Sequence, residues 1–296
     1  MTDKIYYGGQ AVIEGVMMRG RKAMVVAVRR PGGDLVFNTK SLSAIYTGRL
    51  RKTPFVRGIV VLIEALVLGV QSLLYSANIA LEEEEEEISG GLLWAVLIGS
   101  MTLGVALFFL IPLFATKLLG AFVNSPVTFN LVEGFIRICL FIAYLRLISL
   151  VPDIKRVFAY HGAEHKAVNA YEEGVPLEIP AVKKHSTAHV RCGTSFMFVV
   201  LIIAIIVFTL VGLPSIWLMV LSRIVLIPVI AAIGYEAVHF GGRHSRNGFV
   251  RALLTPGLWL QKMTTREPDD SQLEVALAAL TRVTEIDRPV TVAQAQ

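Results

Sequence analysis

Four long apolar runs constrain this chain more than any other feature of its sequence. They cover residues 92–114, 127–151, 193–211 and 216–235. A helix of roughly 20 mainly apolar residues crosses the ~30 Å hydrocarbon layer of a bilayer, and each run is close to that length. The 296 residues are also 54% hydrophobic and 17% charged, which is more apolar than soluble domains usually are. We therefore expect a mainly α-helical, polytopic membrane protein.

A fifth apolar segment, residues 54–78, has a polar residue at every seventh position and so carries one polar stripe if it is helical. The stripe consists of Arg57, Glu64, Gln71 and Asn78. If this helix enters and leaves the membrane on one side, 24 lysines and arginines share one face and Lys117 lies opposite. The positive-inside rule favours this arrangement over a fifth full span. We expect a helical bundle of four full spans plus one re-entrant or tilted helix, with both termini cytoplasmic.

The first 53 residues alternate short β-type runs with turn signals. Residues 23–40 are typical of a β-hairpin closed around the sequence PGGD, because glycine supplies the positive φ that tight hairpin turns require. The N-terminal sequence MTDKIYYGGQ lacks the basic and apolar regions of a cleavable signal peptide. We interpret residues 1–53 as a small cytoplasmic β unit.

The rest of the chain divides into four predicted regions. These are membrane helices at 54–152 with a glutamate-rich linker at 82–87, a cytoplasmic metal-binding loop at 153–192, a transmembrane hairpin at 193–240 turned by GLPS, and a cytoplasmic or interfacial tail at 241–296. Within the tail, the start signal DDSQ predicts a soluble amphipathic helix from Asp269 to about Glu285.

The segment AYHGAEHKAVNAY places His161, Glu164 and His165 in the order H-x-x-E-H. In a helix, residues four positions apart project from the same face, so both imidazoles can bind one metal ion with the carboxylate beside them. In the inverted zincin motif the two histidines are zinc ligands and the glutamate is the general base. We predict His161 and His165 as ligands of Zn²⁺, or of another divalent transition metal, and Glu164 as the catalytic base that deprotonates water.

Two groups compete to complete this metal site. His189 and Cys192 follow in KKHSTAHVRCGTSF and are suitable third and fourth zinc ligands, with His185 as a further candidate. Alternatively, His189 caps the following helix and Cys192 is a small buried apolar residue. Glu236, at the predicted cytoplasmic end of the last span, is a costly charge unless it is partnered or functional. It is a rival of Cys192 for the remaining ligand position, or else the partner of an arginine.

The other charges within the apolar segments predict ion pairs. Glu133 and Arg137 have the spacing of an intrahelical pair with the glutamate first, which is the more favourable order. Arg146 and Arg223 are expected to snorkel to the interface or to pair with Glu64.

The chain resembles the YqhQ-like family of bacterial membrane proteins in five separated blocks: GGQAVIEGVMMRG, YHGAEHK, RCGTSF, TPGLWLQKM and TREPDDSQLEVALAAL. The resemblance covers nearly the whole chain. It implies a bacterial inner-membrane protein and a metal-dependent enzyme, which is the activity predicted for that family of unknown function. The resemblance implies that His161, Glu164 and His165 of the second block, and Cys192 of the third, are functional residues. Val190 departs from the family pattern, in which proline precedes the arginine.

Two functions are consistent with these observations. The first is a membrane-embedded zinc hydrolase with a cytoplasm-facing site and an open ligand position. The second is a non-enzymatic scaffold with a structural metal and a polar groove, formed by the stripe of residues 54–78, for a membrane-protein or lipid partner. Cation transport has less support because the spans hold few carboxylates. We expect the lipid bilayer to be a partner and nucleic acid not to be one. Peptides, lipid head groups and isoprenoid phosphates are all open as substrates.

Overall fold

The N-terminal residues form a four-stranded antiparallel meander in the computed structural model, which describes residues 7–81, 90–120, 125–212, 215–244 and 247–288. The strands are β1 (Gly8–Val12), β2 (Gly15–Arg19), β3 (Ala23–Arg29) and β4 (Leu35–Ser41), and they lie in that order in the sheet. The predicted hairpin at 23–40 is confirmed as β3 and β4, with Gly33 at φ 95° in its turn. A second hairpin joins β1 and β2 through Ile13 and Glu14.

The sheet is buried on both faces. Alternate residues of a strand point to opposite faces, and here both sets are apolar. One face, with Val16, Met18 and Val25, packs in a core shared with two helices described below, whereas Met17 and Val26 pack on the other side. This is why the run AMVVAVR has no polar residue until its last position.

Twelve helical segments follow the sheet in the described residues. They are α1 (Ala44–Thr47), α2 (Val56–Ala80), α3 (Gly90–Val105), α4 (Ile111–Leu118), α5 (Pro126–Ile148), α6 (Pro152–Glu173), α7 (Ile179–Val182), α8 (Gly193–Val211), α9 (Ile216–Val225), α10 (Ile227–Arg243), α11 (Gly248–Thr264) and α12 (Asp270–Asp287). A 3₁₀ turn, Arg49–Lys52, precedes α2, and a π-helical turn, Ala106–Leu110, joins α3 to α4. The expected mainly helical fold with a small N-terminal β unit is confirmed.

Several of these helices are long and apolar enough to cross a membrane. Three qualify alone: Val56–Ala80, Trp94–Leu118 and Gly193–Val211. Two bent pairs, α5 with α6 at 101° and α9 with α10 at 45°, raise the count to 5 if each pair is one span. The predicted linker at 82–87 and the central residues of the GLPS turn lie outside the described residues.

The polar stripe of α2 is occupied by residues of the same chain. Arg57 pairs with Glu236, and the Glu64 carboxylate pairs with Arg19 and Arg51 rather than with Arg146 or Arg223. Towards the end of α2, Leu68 and Ile79 belong to the apolar cluster under the second face of the sheet, and the Ser76 hydroxyl accepts the Ile13 N–H at 3.2 Å. The stripe therefore attaches α2 to the sheet and to α10.

A buried charged triad joins α5 to α9. The predicted pair of Glu133 with Arg137 is confirmed, and Arg223 adds a second guanidinium to the same carboxylate, with Nη2 2.5 Å from Oε2. Arg137 Nε also donates to the carbonyl oxygen of Phe108 in the π-helical turn at 2.8 Å, and Arg223 Nη2 donates to Asn130 at 3.2 Å. These charges act as internal ion pairs of the helical bundle.

The C-terminal helix α12 begins where the sequence predicts. The Asp269 side chain accepts the Gln272 N–H at 2.9 Å, and the Gln272 side chain accepts the Asp269 N–H at 3.0 Å, which is a capping box. Burial raises the pKa of Asp269, but bonds from Ser271 and Gln272 outweigh it, so the pKa lies below its ordinary value. At the other end, Asp287 accepts the N–H groups of Arg21 and Lys22. The helix thus packs in one core with the sheet and α6.

Candidate metal centre

The helix α6 presents the H-x-x-E-H motif from a tightly packed position. It begins at Pro152, which suits a first helical turn, and ends before Gly174 at φ 74°. A Cβ atom on Gly162 would overlap the carbonyl oxygen of Arg266, so the chain after α11 crosses α6 in direct backbone contact. Arg266 N–H donates to the Phe158 carbonyl at 2.9 Å in the same crossing. This contact brings the end of α11 next to His161.

Three of the predicted ligands lie together. The ligand atoms of His161, His165 and Cys192 all lie within 4.8 Å of one another. The Cys192 Sγ atom is 3.3 Å from His161 Nε2, and the two imidazole centroids are 4.4 Å apart. Cys192 at the start of α8 is 31 positions from His161 in sequence, yet it forms one group of donors with the two histidines of α6.

Backbone carbonyls orient both imidazoles. His161 Nδ1 lies 2.8 Å from the carbonyl oxygen of Thr264, and His165 Nδ1 lies 2.5 Å from that of Thr187. A carbonyl oxygen only accepts hydrogen bonds, so each Nδ1 carries a proton and Nε2 is the ring nitrogen left for a metal. Ligating histidines in metal sites characteristically have their second nitrogen bonded in this way.

Cys192 occupies the N-cap of α8. Its side chain is 5% exposed, and Sγ accepts the N–H of Thr194 at 3.4 Å. The thiolate is the form of cysteine that binds metals. Imidazole and thiolate donors suit zinc, and three such donors leave one position of a tetrahedral site open. The donor set therefore fits a zinc ion.

Glu164 lies beside the donors in a buried position. It is 4% exposed, and its Oε2 is 3.5 Å from His165 Nε2. A Cβ atom on Gly9 would be 2.8 Å from Glu164 Cγ, so β1 closes over this carboxylate and needs glycine there. Glu164 is therefore a buried carboxylate at the edge of the three-donor group.

The structure places the other candidates elsewhere. His189 is buried next to the group, with its ring centroid 5.7 Å from that of His165, but its Nε2 is 3.7 Å from Glu172. His185 Nδ1 is 3.5 Å from Glu173. The Glu236 carboxylate binds Arg57 and accepts the N–H of Phe55, which is the arginine pairing that the sequence offered as the alternative to ligation.

Glu172 links His189 to the start of α8. Burial raises the pKa of this carboxyl, but the nearby His189 ring and the bonded guanidinium of Arg191 outweigh it, so the pKa lies below its ordinary value. The N–H of His189 donates to Gln261 at 2.9 Å, and the Gln261 amide donates back to the His189 carbonyl at 2.8 Å. His189 is thus positioned by both its ring and its backbone.

Two side chains of α6 that the sequence analysis did not single out hold the loop before Cys192. Lys166 Nζ donates to the carbonyls of Lys183 and His185 at 2.7 and 2.8 Å, and Asn169 donates to those of Ser186 and Ala188 at 2.8 and 3.1 Å. Lys166 is only 3% exposed. The sequence signal for this role was the presence of two polar residues, a lysine and an asparagine, in the alanine-rich run HKAVNAY.

Comparison with known proteins places these residues within a family. A family model described as a protein of unknown function (DUF1385) matches residues 53–286, which include all three donors and Glu164. The uncharacterized protein YqhQ of Bacillus subtilis (strain 168) is 35% identical over 297 residues, covering 95% of this chain and 93% of that protein. No solved structure matches the chain.

Proposed function

The chain belongs to the DUF1385 family of proteins of unknown function, and we propose that it is a membrane-embedded, zinc-dependent hydrolase with a site that faces the cytoplasm. The observation that carries this proposal is the convergence of His161, His165 and Cys192, with the Nδ1 atom of both histidines bonded to backbone carbonyls. Both imidazoles are oriented by bonds to Nδ1, as in metal-binding histidines, and this favours a metal site over a group of side chains with a purely structural role.

In the proposed membrane arrangement, four segments cross fully and α2 does not. The crossing segments are Trp94–Leu118, α8 and the bent pair of α9 with α10, together with the 23-residue α5, which is the first helix of the other bent pair. The end of α2 packs on the sheet, and residues 42–55, which include Arg49, Arg51 and Lys52, lead from the sheet to its start. If α2 crossed the membrane, this basic segment would have to cross as well, which is costly. The sheet, α6, α12 and both termini are then cytoplasmic.

The proposed reaction assigns separate roles to the buried residues. Zinc, when bound by the three donors, supplies Lewis acidity that polarises the substrate and water. Glu164 accepts a proton from the attacking water, whose oxygen forms a bond to the electrophilic carbon or phosphorus. The bond to the leaving group breaks, and Glu164 returns the proton to that group. The Thr264 and Thr187 carbonyls keep both imidazoles in one tautomer throughout.

His189 decides between a catalytic and a structural metal. Its ring is close enough to His165 that it would complete a four-donor set if it turned away from Glu172, and a closed shell is typical of structural zinc. In that case the protein is the scaffold considered above. We favour the open set because Gln261 binds both the N–H and the carbonyl of His189, with the ring turned towards Glu172.

Metal analysis of the purified protein tests the donor assignment. We expect about one zinc per chain by plasma mass spectrometry, as three-ligand sites bind one ion. His161→Ala, His165→Ala and Cys192→Ser should lose the metal, whereas the matched control His185→Ala should retain it. Metal-free protein isolated without chelators would contradict the proposal, as would full zinc content in Cys192→Ser.

The variants Glu164→Gln and His189→Ala test the chemistry. Glu164→Gln should keep zinc and lose hydrolysis across a panel of ester, amide and phosphoester substrates, because the amide cannot accept the proton of water. His189→Ala should keep zinc, with three protein donors by X-ray absorption. Two results together would support the structural alternative instead. These are four protein donors in the wild type, and a Glu164→Gln protein that fully replaces the wild type in cells that lack the native gene.

A further inference from the structure

A cavity lies between α2, α8 and α10, at the end of α8 where Cys192 forms the N-cap. It has a volume of about 240 Å³, and its lining includes Arg191 and Gly193, the two neighbours of Cys192 in sequence. Most of its wall is apolar, formed by Gly58, Val61, Leu62, Ala65, Phe196 and Val238. Sites for whole drug-sized ligands occupy about 300–1,000 Å³, so this cavity fits one part of a longer molecule.

The same cavity has a polar end with an unsatisfied group. His239 lines it, and the Nε2 atom of His239 is buried without a hydrogen-bond partner in the described residues. Buried polar atoms are nearly always paired, so an unpaired nitrogen in a cavity indicates a position for a hydrogen-bonding group. The Tyr235 ring stacks on the imidazole at 5.9 Å and forms another part of the lining.

The charge around His239 is positive. Arg191 lines the cavity together with His239, and the Arg57 guanidinium lies 5.9 Å from the centroid of the Tyr235 ring, which is also part of the lining. The carboxylate partners of these arginines are Glu236 for Arg57 and Glu172 for Arg191, and neither carboxylate belongs to the described lining of the cavity. Arg243 is exposed at the end of α10. The polar end of the cavity is therefore complementary to an anion, and guanidinium groups are well suited to phosphate.

We propose that this cavity binds a membrane amphiphile through one hydrocarbon chain and an anionic phosphate head group, and that such amphiphiles are the substrate class of the site at Cys192. The substrate assignment rests on the proposed function, whereas the binding does not. The chain lies against Val61, Leu62 and Phe196, and the phosphate lies at His239 and the arginines. The same helices α2 and α10 also carry exposed apolar side chains, such as Ile59 and Phe240, which form a surface suited to lipid.

Photolabelling in phosphatidylcholine nanodiscs tests the binding. The probe is phosphatidic acid with a diazirine near the end of one acyl chain, and the comparison lipid is phosphatidylcholine with the same chain. We expect phosphatidic acid to label residues 58–65 preferentially. Ala65→Phe and Val61→Phe fill the cavity and should each lower that labelling about tenfold, equivalent to ~1.4 kcal/mol. Val67→Phe, on the opposite exposed face of α2, is the matched control and should not change it.

Further arms identify which part of the ligand is bound. His239→Phe should abolish the preference for phosphatidic acid over phosphatidylcholine. Dodecyl phosphate should compete with the probe, whereas inorganic phosphate at the same concentration should not. Equal labelling by both lipids, or labelling unchanged by both cavity-filling variants, overturns the proposal. Competition by inorganic phosphate as strong as that by dodecyl phosphate also overturns it, in favour of a free anion.

The zinc content of the wild type separates the two proposals. If wild-type protein isolated without chelators contains no zinc and lipid labelling persists, the cavity binds the amphiphile although the hydrolase proposal fails. If the wild type contains zinc and Glu164→Gln loses hydrolysis while labelling fails, the substrate class is wrong and the proposed function stands.

Discussion

Replacing Glu133 with glutamine should destabilise the helical bundle far more than removing one of its two arginine partners. Glu133, Arg137 and Arg223 are each 1% exposed, and the single carboxylate binds both guanidiniums. Glutamine keeps the shape of glutamate and removes its charge. The variant Glu133→Gln therefore leaves two positive charges buried side by side, whereas Arg223→Met leaves the neutral pair of Glu133 with Arg137.

The magnitude follows from the number of charge pairs lost. Opposite unit charges 4 Å apart attract by ~4 kcal/mol at an effective dielectric constant of about 20. Removing one partner of a buried pair costs about 3–5 kcal/mol in measured cases, because the other charge stays buried without compensation. Glu133→Gln loses both attractions, so we expect a loss at least in that range. Arg223→Met loses one attraction and also the repulsion between the guanidiniums, so we expect less than ~2 kcal/mol.

Equilibrium unfolding in mixed micelles, titrated with sodium dodecyl sulfate and followed by circular dichroism, measures both variants against the wild type. The double variant Glu133→Gln with Arg223→Met should recover part of the loss, because one guanidinium charge has been removed. A Glu133→Gln protein within ~1 kcal/mol of the wild type would refute the reasoning, since that is the range of an exposed ion pair. A larger loss in Arg223→Met than in Glu133→Gln would refute it as well.

Three further predictions concern α6, α12 and the loop before Cys192. Lys166→Met removes two hydrogen bonds to the loop, so hydrogen exchange in residues 183–192 should accelerate and zinc affinity should fall ~10–100-fold. Gly162→Ala forces a methyl group onto a backbone oxygen and should cost more than about 1–3 kcal/mol in thermal unfolding, whereas Gly99→Ala, with open space around it, should gain up to ~1 kcal/mol. Asp269→Ala should lose about 1 kcal/mol of stability at pH 7. The pKa of Asp269 in the folded protein lies below the ordinary value of 3.8. The stability difference is therefore fully present above pH 3.8 and should disappear as the pH falls through the folded pKa.

The sequence determined the features that depend on local periodicity. The apolar runs, the hairpin at 23–40, the capping box at Asp269 and the pairing of Glu133 with Arg137 each involve residues close together along the chain. Helix and strand geometry fixes the distances within such stretches, so residue types and spacing are enough. The same reasoning placed His161 and His165 side by side on one helix.

The tertiary structure alone decided which distant groups meet. Nothing in the spacing of Cys192 and Glu236 indicates that the first joins the two histidines while the second pairs with Arg57. The carbonyls that orient the imidazoles belong to residues whose side chains carry no signal of this role. The physical reason is that contacts between distant segments are set by how helices and sheet pack together, and here the bend of 101° after α5 and the crossing of α6 by the chain after α11 create the site.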